Sequence, residues 1–184
     1  MWFRIRVMKT HVRPSRAISR RAMKKLKIYL DTSVISHLDH QDAPEKMVDT
    51  RRLWELVKSG SFDVCVSPVV IAEVMACAET KRIILLSWLG DVDLTELPES
   101  NEVHELAKRY IDAGILRPKS FDDCQHIAYA CVYDCDVLVS WNFKHMVNTT
   151  TIAGVKGVNA LEGYREMPIL TPTAIMSGGT IHDS

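Results

Sequence analysis

Short apolar segments alternate with longer helical segments along most of this chain. The predicted strands are 27–30, 62–66, 92–97, 137–140 and 169–170, and helical patterns lie between them. Strands that alternate with helices are typical of a parallel sheet with helices on both faces. The sequence therefore predicts an α/β protein with a three-layer α/β/α architecture and a central parallel sheet.

The helical segments differ in how clearly the sequence defines them. The clearest is 99–114, where Val103, Leu106, Ala107, Tyr110 and Ile111 recur at helical spacing. Helices are also predicted over 45–58, 67–78, 81–89 and 121–133. The stretch 141–157 is rich in Thr, Asn and Gly and predicts no regular element, and 158–165 predicts a short helix.

The zero net charge of the 184-residue chain conceals a strong asymmetry. Residues 1–27 contain ten Lys or Arg and no acid, which leaves 13 basic and 23 acidic residues, a net charge of −10, in the remainder. We therefore expect a basic N-terminal arm, 1–26, and a domain, 27–184. Three interpretations of this segment remain open: a transit peptide, a nucleic-acid-binding arm, or an extension that the domain does not need.

Composition excludes several classes of protein. No apolar run approaches the roughly 20 residues of a membrane span, and the arm lacks the apolar stretch of a secretory signal. None of the five cysteines forms a CxxC pair, so reduced core thiols in a cytoplasmic protein are expected rather than disulfides or zinc.

Three acidic residues lie where an α/β chain usually has apolar ones. Asp31 ends the apolar run 28–30, Glu73 lies within the apolar segment 69–76, and Asp123 opens a helical segment. A lone buried carboxylate is very unfavourable, and a divalent cation is a suitable partner because hard cations prefer oxygen ligands. Simpler explanations are a solvent-facing Glu73 and helix-dipole stabilisation by Asp123, a role that Asp122 fits better.

These segments resemble, in their order, the PIN-domain (PilT N-terminus) family, which includes the VapC-type toxins. The matching segments are Ile28-Tyr29-Leu30-Asp31-Thr32-Ser33, Ser67-Pro68-Val69-Val70-Ile71-Ala72-Glu73-Val74, Asp123-Cys124-Gln125-His126-Ile127-Ala128, Val137-Leu138-Val139-Ser140-Trp141-Asn142-Phe143 and Ile169-Leu170-Thr171-Pro172. The resemblance implies a Mg²⁺- or Mn²⁺-dependent ribonuclease in which Asp31, Glu73 and Asp123 are the catalytic metal ligands. It also implies RNA as substrate and a small antitoxin protein as partner, and it is compatible with a homodimer.

The sequence departs from the family at Asn142, where many members have a fourth acid. Asn142 is a candidate metal ligand through its neutral amide oxygen, which weakens the charge of the site. This departure keeps open a second class, a catalytically weak nucleic-acid-binding module. A haloacid-dehalogenase-like phosphatase is disfavoured because Ser33 stands where that chemistry expects a second Asp.

Seven further residues are candidates for roles around the ligands. Those expected to support the ligands are Ser33, Asp122, His126 and Ser140, and those expected to contact nucleic acid are Trp141, Lys144 and His145. Simpler roles are helix capping for Ser33, a strand-end hydrogen bond for Ser140 and core packing for Trp141. His126 is expected beside the cation rather than bound to it, because these cations prefer oxygen.

Overall fold

A computed structural model describes residues 25–178 of the chain. Within this range the strands are β1 (Leu26–Leu30), β2 (Phe62–Val66), β3 (Leu94–Glu96), β4 (Val137–Val139) and β5 (Ile169–Leu170). They form one sheet in the order β3-β2-β1-β4-β5, and all neighbouring strands are parallel. The predicted α/β fold with a central parallel sheet is therefore confirmed.

Eight helices connect and cover the strands. They are α1 (Thr32–Ser36), α2 (Pro44–Lys58), α3 (Pro68–Ala76), α4 (Glu79–Gly90), α5 (Asn101–Asp112), α6 (Phe121–Val132), α7 (Thr149–Glu162) and α8 (Pro172–Met176), within residues 25–178. Two 3-10 turns, His37–Asp39 and Pro118–Ser120, lie in the connections. The helices bury the carboxyl-terminal halves of β1 and β2 and all of β4, which explains their apolar sequences, whereas β3 lies at the edge of the sheet and is largely exposed.

Strand β1 occupies the centre of the sheet and brings distant segments together at one edge. Its last residue, Leu30, is in register with Val139 of β4, and the backbone N–H of Asp31 donates to the Val139 carbonyl at 3.1 Å. Ser67 and Ser140 directly follow β2 and β4. Because the strands are parallel, Asp31, Ser67 and Ser140 all emerge at the carboxyl edge, where sites form in open α/β sheets.

Helix α7 corrects a prediction made from the sequence. A single helix covers Thr149–Glu162, where the composition predicted no regular element up to residue 157. Three threonines and two glycines lower its intrinsic helix propensity, but its ends are well defined. The Asn148 side chain accepts a hydrogen bond from the Thr151 N–H at 2.9 Å, and Gly163, at φ 82°, ends the helix in the left-handed region.

Other predictions concern the ends of the chain, the thiols and membranes. The predicted basic arm, residues 1–26, lies almost entirely outside the described residues. All five cysteines, which lie between residues 65 and 135, are free thiols. Between residues 25 and 178, no helix combines the length and the apolar character that crossing a bilayer requires.

We predict opposite effects for alanine at two glycines of α7. A Cβ on Gly154 would lie 2.9 Å from Cγ1 of Ile115 and 3.3 Å from its Cγ2, whereas a Cβ on Gly157 would meet nothing within 4 Å. Gly157→Ala should stabilise the protein by roughly 0.5–1 kcal/mol through helix propensity. Gly154→Ala should be less stable than Gly157→Ala by roughly 1–3 kcal/mol, the usual range for overpacking.

Urea unfolding of the two variants and of the wild type measures both effects. Equal free energies of unfolding for Gly154→Ala and Gly157→Ala would show that Ile115 moves aside without cost, contrary to this prediction.

Candidate functional site

Asp31 lies buried at the carboxyl end of β1 and is held by two hydroxyl groups. Its Oδ2 accepts hydrogen bonds from Ser33 Oγ at 2.5 Å and from Ser140 Oγ at 2.6 Å. Asp31 occupies the N-cap position of α1, but its carboxylate caps no helix N–H. With Oδ2 saturated by two donors, Oδ1 is the oxygen that remains to meet other groups.

Glu73 and His126 complete a compact group around Asp31. His126 Nε2 lies 3.2 Å from Glu73 Oε2 and 3.7 Å from Asp31 Oδ1, and the ligand atoms of all three residues lie within 4.8 Å of one another. Asp31 and His126 are 4% and 1% exposed, whereas the Glu73 side chain is 38% exposed. The group is therefore buried on the strand side and open at Glu73.

A chain of hydrogen bonds fixes the His126 ring from behind. Its Nδ1 shares a hydrogen bond of 2.8 Å with the Tyr29 hydroxyl, which shares another of 2.6 Å with Ser67 Oγ. Burial raises the pKa of Tyr29 well above its ordinary value, so this phenol stays neutral. Hydroxyl groups can reverse donor and acceptor roles, so the chain can support either a neutral or a protonated imidazole.

Burial and pairing act in opposite directions on the two titratable partners. Burial alone lowers the pKa of His126, but the hydrogen bond to Glu73 and the nearby carboxylates outweigh it and raise the pKa. For Glu73, burial raises the pKa, and the hydrogen bond and charge of His126 outweigh it and lower the pKa. Both net shifts favour an ion pair between a protonated His126 and an ionised Glu73 when no cation is bound.

Asp123 is oriented towards a different set of partners. Its Oδ1 accepts from Asn142 Nδ2 at 2.7 Å, and its Oδ2 lies 2.7 Å from His145 Nδ1. The structure therefore brings Asp31 and Glu73 together with His126, and Asp123 is not part of this compact group. Asn142 is connected to Asp31, because its backbone N–H donates to Ser140 Oγ at 2.8 Å.

The remaining predicted site residues are placed as follows. Ser33 and Ser140 contact the Asp31 carboxylate directly, whereas Asp122 is exposed and lines a groove of about 940 Å³ together with Glu73. Trp141 is 8% exposed, and its indole N–H donates to Thr50 Oγ1 at 2.8 Å, so little of its ring is available for stacking.

Sequence reasoning missed three residues of the site region. Tyr29 and Ser67 form the hydrogen-bonded chain behind His126. The available signal was a tyrosine inside an apolar strand segment, because buried hydroxyls usually have partners. Phe143 is 48% exposed in the loop after β4, with Lys46 Nζ 5.1 Å from its ring centre. Its position two residues beyond Trp141 in the strand-end loop could have indicated it.

The donor set of the compact group fits a hard divalent cation. Asp31 and Glu73 each offer a carboxylate oxygen within 4.8 Å of the other, and carboxylate oxygens suit Mg²⁺ and Mn²⁺. Asp31 and Glu73 would hold such a cation, and Nε2 of a neutral His126 would be a third donor.

Comparisons with known proteins find a matching sequence family and a similar fold. A family model of the PIN domain matches residues 28–143. Among the curated proteins, none matches the chain significantly. Among solved structures, a chain in the crystal structure of VapBC2 from Rickettsia felis bound to a DNA fragment from its promoter is similar, with a TM-score of 0.52 and 13% sequence identity. The match covers 79% of this chain and 98% of that chain, and at this identity it shows a shared fold.

We predict that the Glu73–His126 pair contributes most to the free energy of unfolding of the metal-free protein between pH 4.5 and pH 6.5. These limits are the ordinary pKa values of Glu73 and His126. The raised pKa of His126 contributes stability that is complete below 6.5 and is lost as pH rises through the folded-state pKa. The lowered pKa of Glu73 contributes stability that is complete above 4.5 and is lost as pH falls through its folded-state pKa.

Urea unfolding in chelator at pH 5.5 and pH 8.5 measures the first effect. His126→Gln should lose less stability between these two pH values than the wild type, and the exposed His104→Gln should behave like the wild type. A pH dependence in His126→Gln as steep as that of the wild type would contradict the prediction.

Proposed function

This chain belongs to the PIN-domain family, and from that premise we propose that it is a nuclease that hydrolyses RNA phosphodiester bonds with Mg²⁺ or Mn²⁺. The observation that carries the proposal is the pair of carboxylates, Asp31 and Glu73, which face the same point at the carboxyl edge of the sheet. A bound cation of this kind supplies Lewis-acid stabilisation of a phosphodiester and activation of the attacking water.

The residues around the pair have separate tasks in this proposal. Ser33 and Ser140 hold Asp31 Oδ2, which fixes the direction in which Oδ1 points. Glu73 forms the open side, where the 940 Å³ groove, which Glu99 and Asp122 also line, admits solvent. His126 balances the charge of the two carboxylates when no cation is bound, and Asp123 is the third proposed ligand, available if it leaves Asn142 and His145.

We further propose that the chain is the toxin of a toxin–antitoxin pair. Support comes from the similar chain in the VapBC2 complex from Rickettsia felis. The expected partner is a small antitoxin protein, and homodimerisation, a cytoplasmic location and a dispensable arm at residues 1–26 remain predictions. Induced expression of the wild type should arrest growth of a bacterial host, and Asp31→Asn should not.

A catalytically weak nucleic-acid-binding module is the second candidate function. It is favoured by the hydrogen bonds of Asp123 to Asn142 and His145, which leave two rather than three carboxylates at the compact group. The two candidates differ in one measurement, because the module should bind RNA without cleaving it when Mn²⁺ is present.

We predict that Asp31→Asn abolishes both metal binding and cleavage while the fold is retained. The substitution conserves volume but removes the charge that holds the cation. Cleavage of short RNAs with Mn²⁺ should fall by at least ~10²-fold, and it should also stop in chelator. A cation at a hundredfold excess over its Kd should stabilise the wild type by ~2.7 kcal/mol, and this stabilisation should be absent in the variant.

The matched control is Asp112→Asn, which removes one charge from an exposed position at the end of α5. It should cleave and bind metal like the wild type. Equal cleavage by wild type and Asp31→Asn would reveal a contaminating nuclease and overturn the proposal.

We also predict that Asn142→Asp tightens Mn²⁺ binding and destabilises the metal-free protein. The amide now donates to Asp123 at 2.7 Å, and a carboxylate there would place two negative groups in contact. A cation would relieve that repulsion. Calorimetric titration with Mn²⁺ and unfolding in chelator measure the two effects.

Unchanged Mn²⁺ affinity in Asn142→Asp would show that residue 142 does not reach the cation, contrary to the prediction.

A further inference from the structure

Another cavity, of about 390 Å³, lies between the α5–α6 and β4–α7 connections, and four of its eight lining residues are basic. Arg117 and Lys119 come from the first connection, and Lys144 and His145 come from the second. The other lining residues are Gly114, Ile115, Leu116 and Ser120. The cavity therefore collects basic groups from two segments that are distant in sequence, and no acidic residue lines it.

This concentration of positive charge stands out against the rest of the described chain. Residues 25–178 contain 15 Lys or Arg and 22 Asp or Glu, a net charge of −7. Among these residues, none forms an ion pair with the exposed side chains of Arg117, Lys119 or Lys144. Unpaired basic groups in a concave site attract anions, because the walls of a cleft focus the field.

His145 connects the cavity to the candidate metal centre. It lines the cavity, while its Nδ1 lies 2.7 Å from Asp123 Oδ2 and 3.5 Å from Ser120 Oγ. Asp123 precedes His126 by three residues in α6, so the two side chains are neighbours on one helix face. The basic cavity and the compact group of Asp31, Glu73 and His126 therefore flank Asp123 from two directions.

We propose that this cavity binds a backbone phosphate of the RNA strand next to the scissile linkage. The inference rests on the proposed function, because it assumes a substrate chain that crosses the metal centre. Arg117 can hold phosphate oxygens with two N–H groups, and Lys119 and Lys144 act as point charges. The acidic groove beside Glu73 would repel the strand, so the basic side is the favoured path for its continuation.

The experiment uses the double variant Arg117→Gln/Lys144→Gln, which leaves His145 in place because it contacts Asp123. Cleavage of a single-stranded RNA with a 5′-hydroxyl end is measured with Mn²⁺. We expect KM to rise roughly tenfold at low salt, since two exposed charge contacts are lost, while kcat changes much less. RNA binding in chelator should lose ~0.7 from its log–log salt slope for each phosphate contact removed.

The matched control is Arg52→Gln/Lys58→Gln, which also removes one Arg and one Lys charge, but from α2. It should keep the KM and salt slope of the wild type. Circular dichroism and melting establish that both double variants are folded. An unchanged KM and salt slope in Arg117→Gln/Lys144→Gln, with an active wild type, would overturn the cavity assignment alone.

Two further outcomes separate the possible sources of failure. If the wild type cleaves no RNA, the proposed function fails, and the salt slope of RNA binding in chelator still tests the cavity. If the double variant cleaves only 5′-phosphorylated RNA more poorly than the wild type does, the cavity binds a terminal phosphate. That result would overturn the assignment of the cavity to a backbone phosphate.

Discussion

The buried carboxylate of Asp31 is the constraint on which the site depends. At 4% exposure it has little access to solvent, and an isolated buried charge is very unfavourable. The structure compensates with Ser33 from α1, Ser140 after β4 and His126 from α6, so three separate elements converge on one side chain. Ser140 can reach Asp31 only because β1 and β4 pair in parallel. The site therefore depends on correct formation of the sheet.

The sheet, Asp31 and Glu73 could be predicted from the sequence because each rests on a local pattern. Apolar strands alternating with helices indicate a parallel sheet, and an acid directly after a strand lies at its carboxyl edge. The central position of His126 could not be predicted, because it depends on how α3 and α6 pack and on which partner holds the other ring nitrogen. Helix α7 was missed for another reason, since its caps and packing against Ile115 outweigh a composition that is poor for helices.

The orientation of Asp123 is linked to the amide at position 142, where many family members have an acid. An amide at 142 offers a donor, so Asp123 can lie 2.7 Å from it and also meet His145. A carboxylate at 142 would repel Asp123 from this position. The sequence shows the amide, but only the structure shows that it donates to Asp123, because hydrogen-bond partners are not encoded by spacing along a helix.

The hydrogen bond between Ser140 and Asp31 joins residues 109 positions apart in the chain. Asp31 and Ser33 lie on one segment, whereas Ser140 reaches the carboxylate only when β4 has paired with β1. Contacts of such long range are slow to form, because closing the intervening loop costs conformational entropy before the contact is made. A folding chain therefore carries an incomplete carboxylate centre until β4 joins the sheet, and completion of the centre marks a late step of folding.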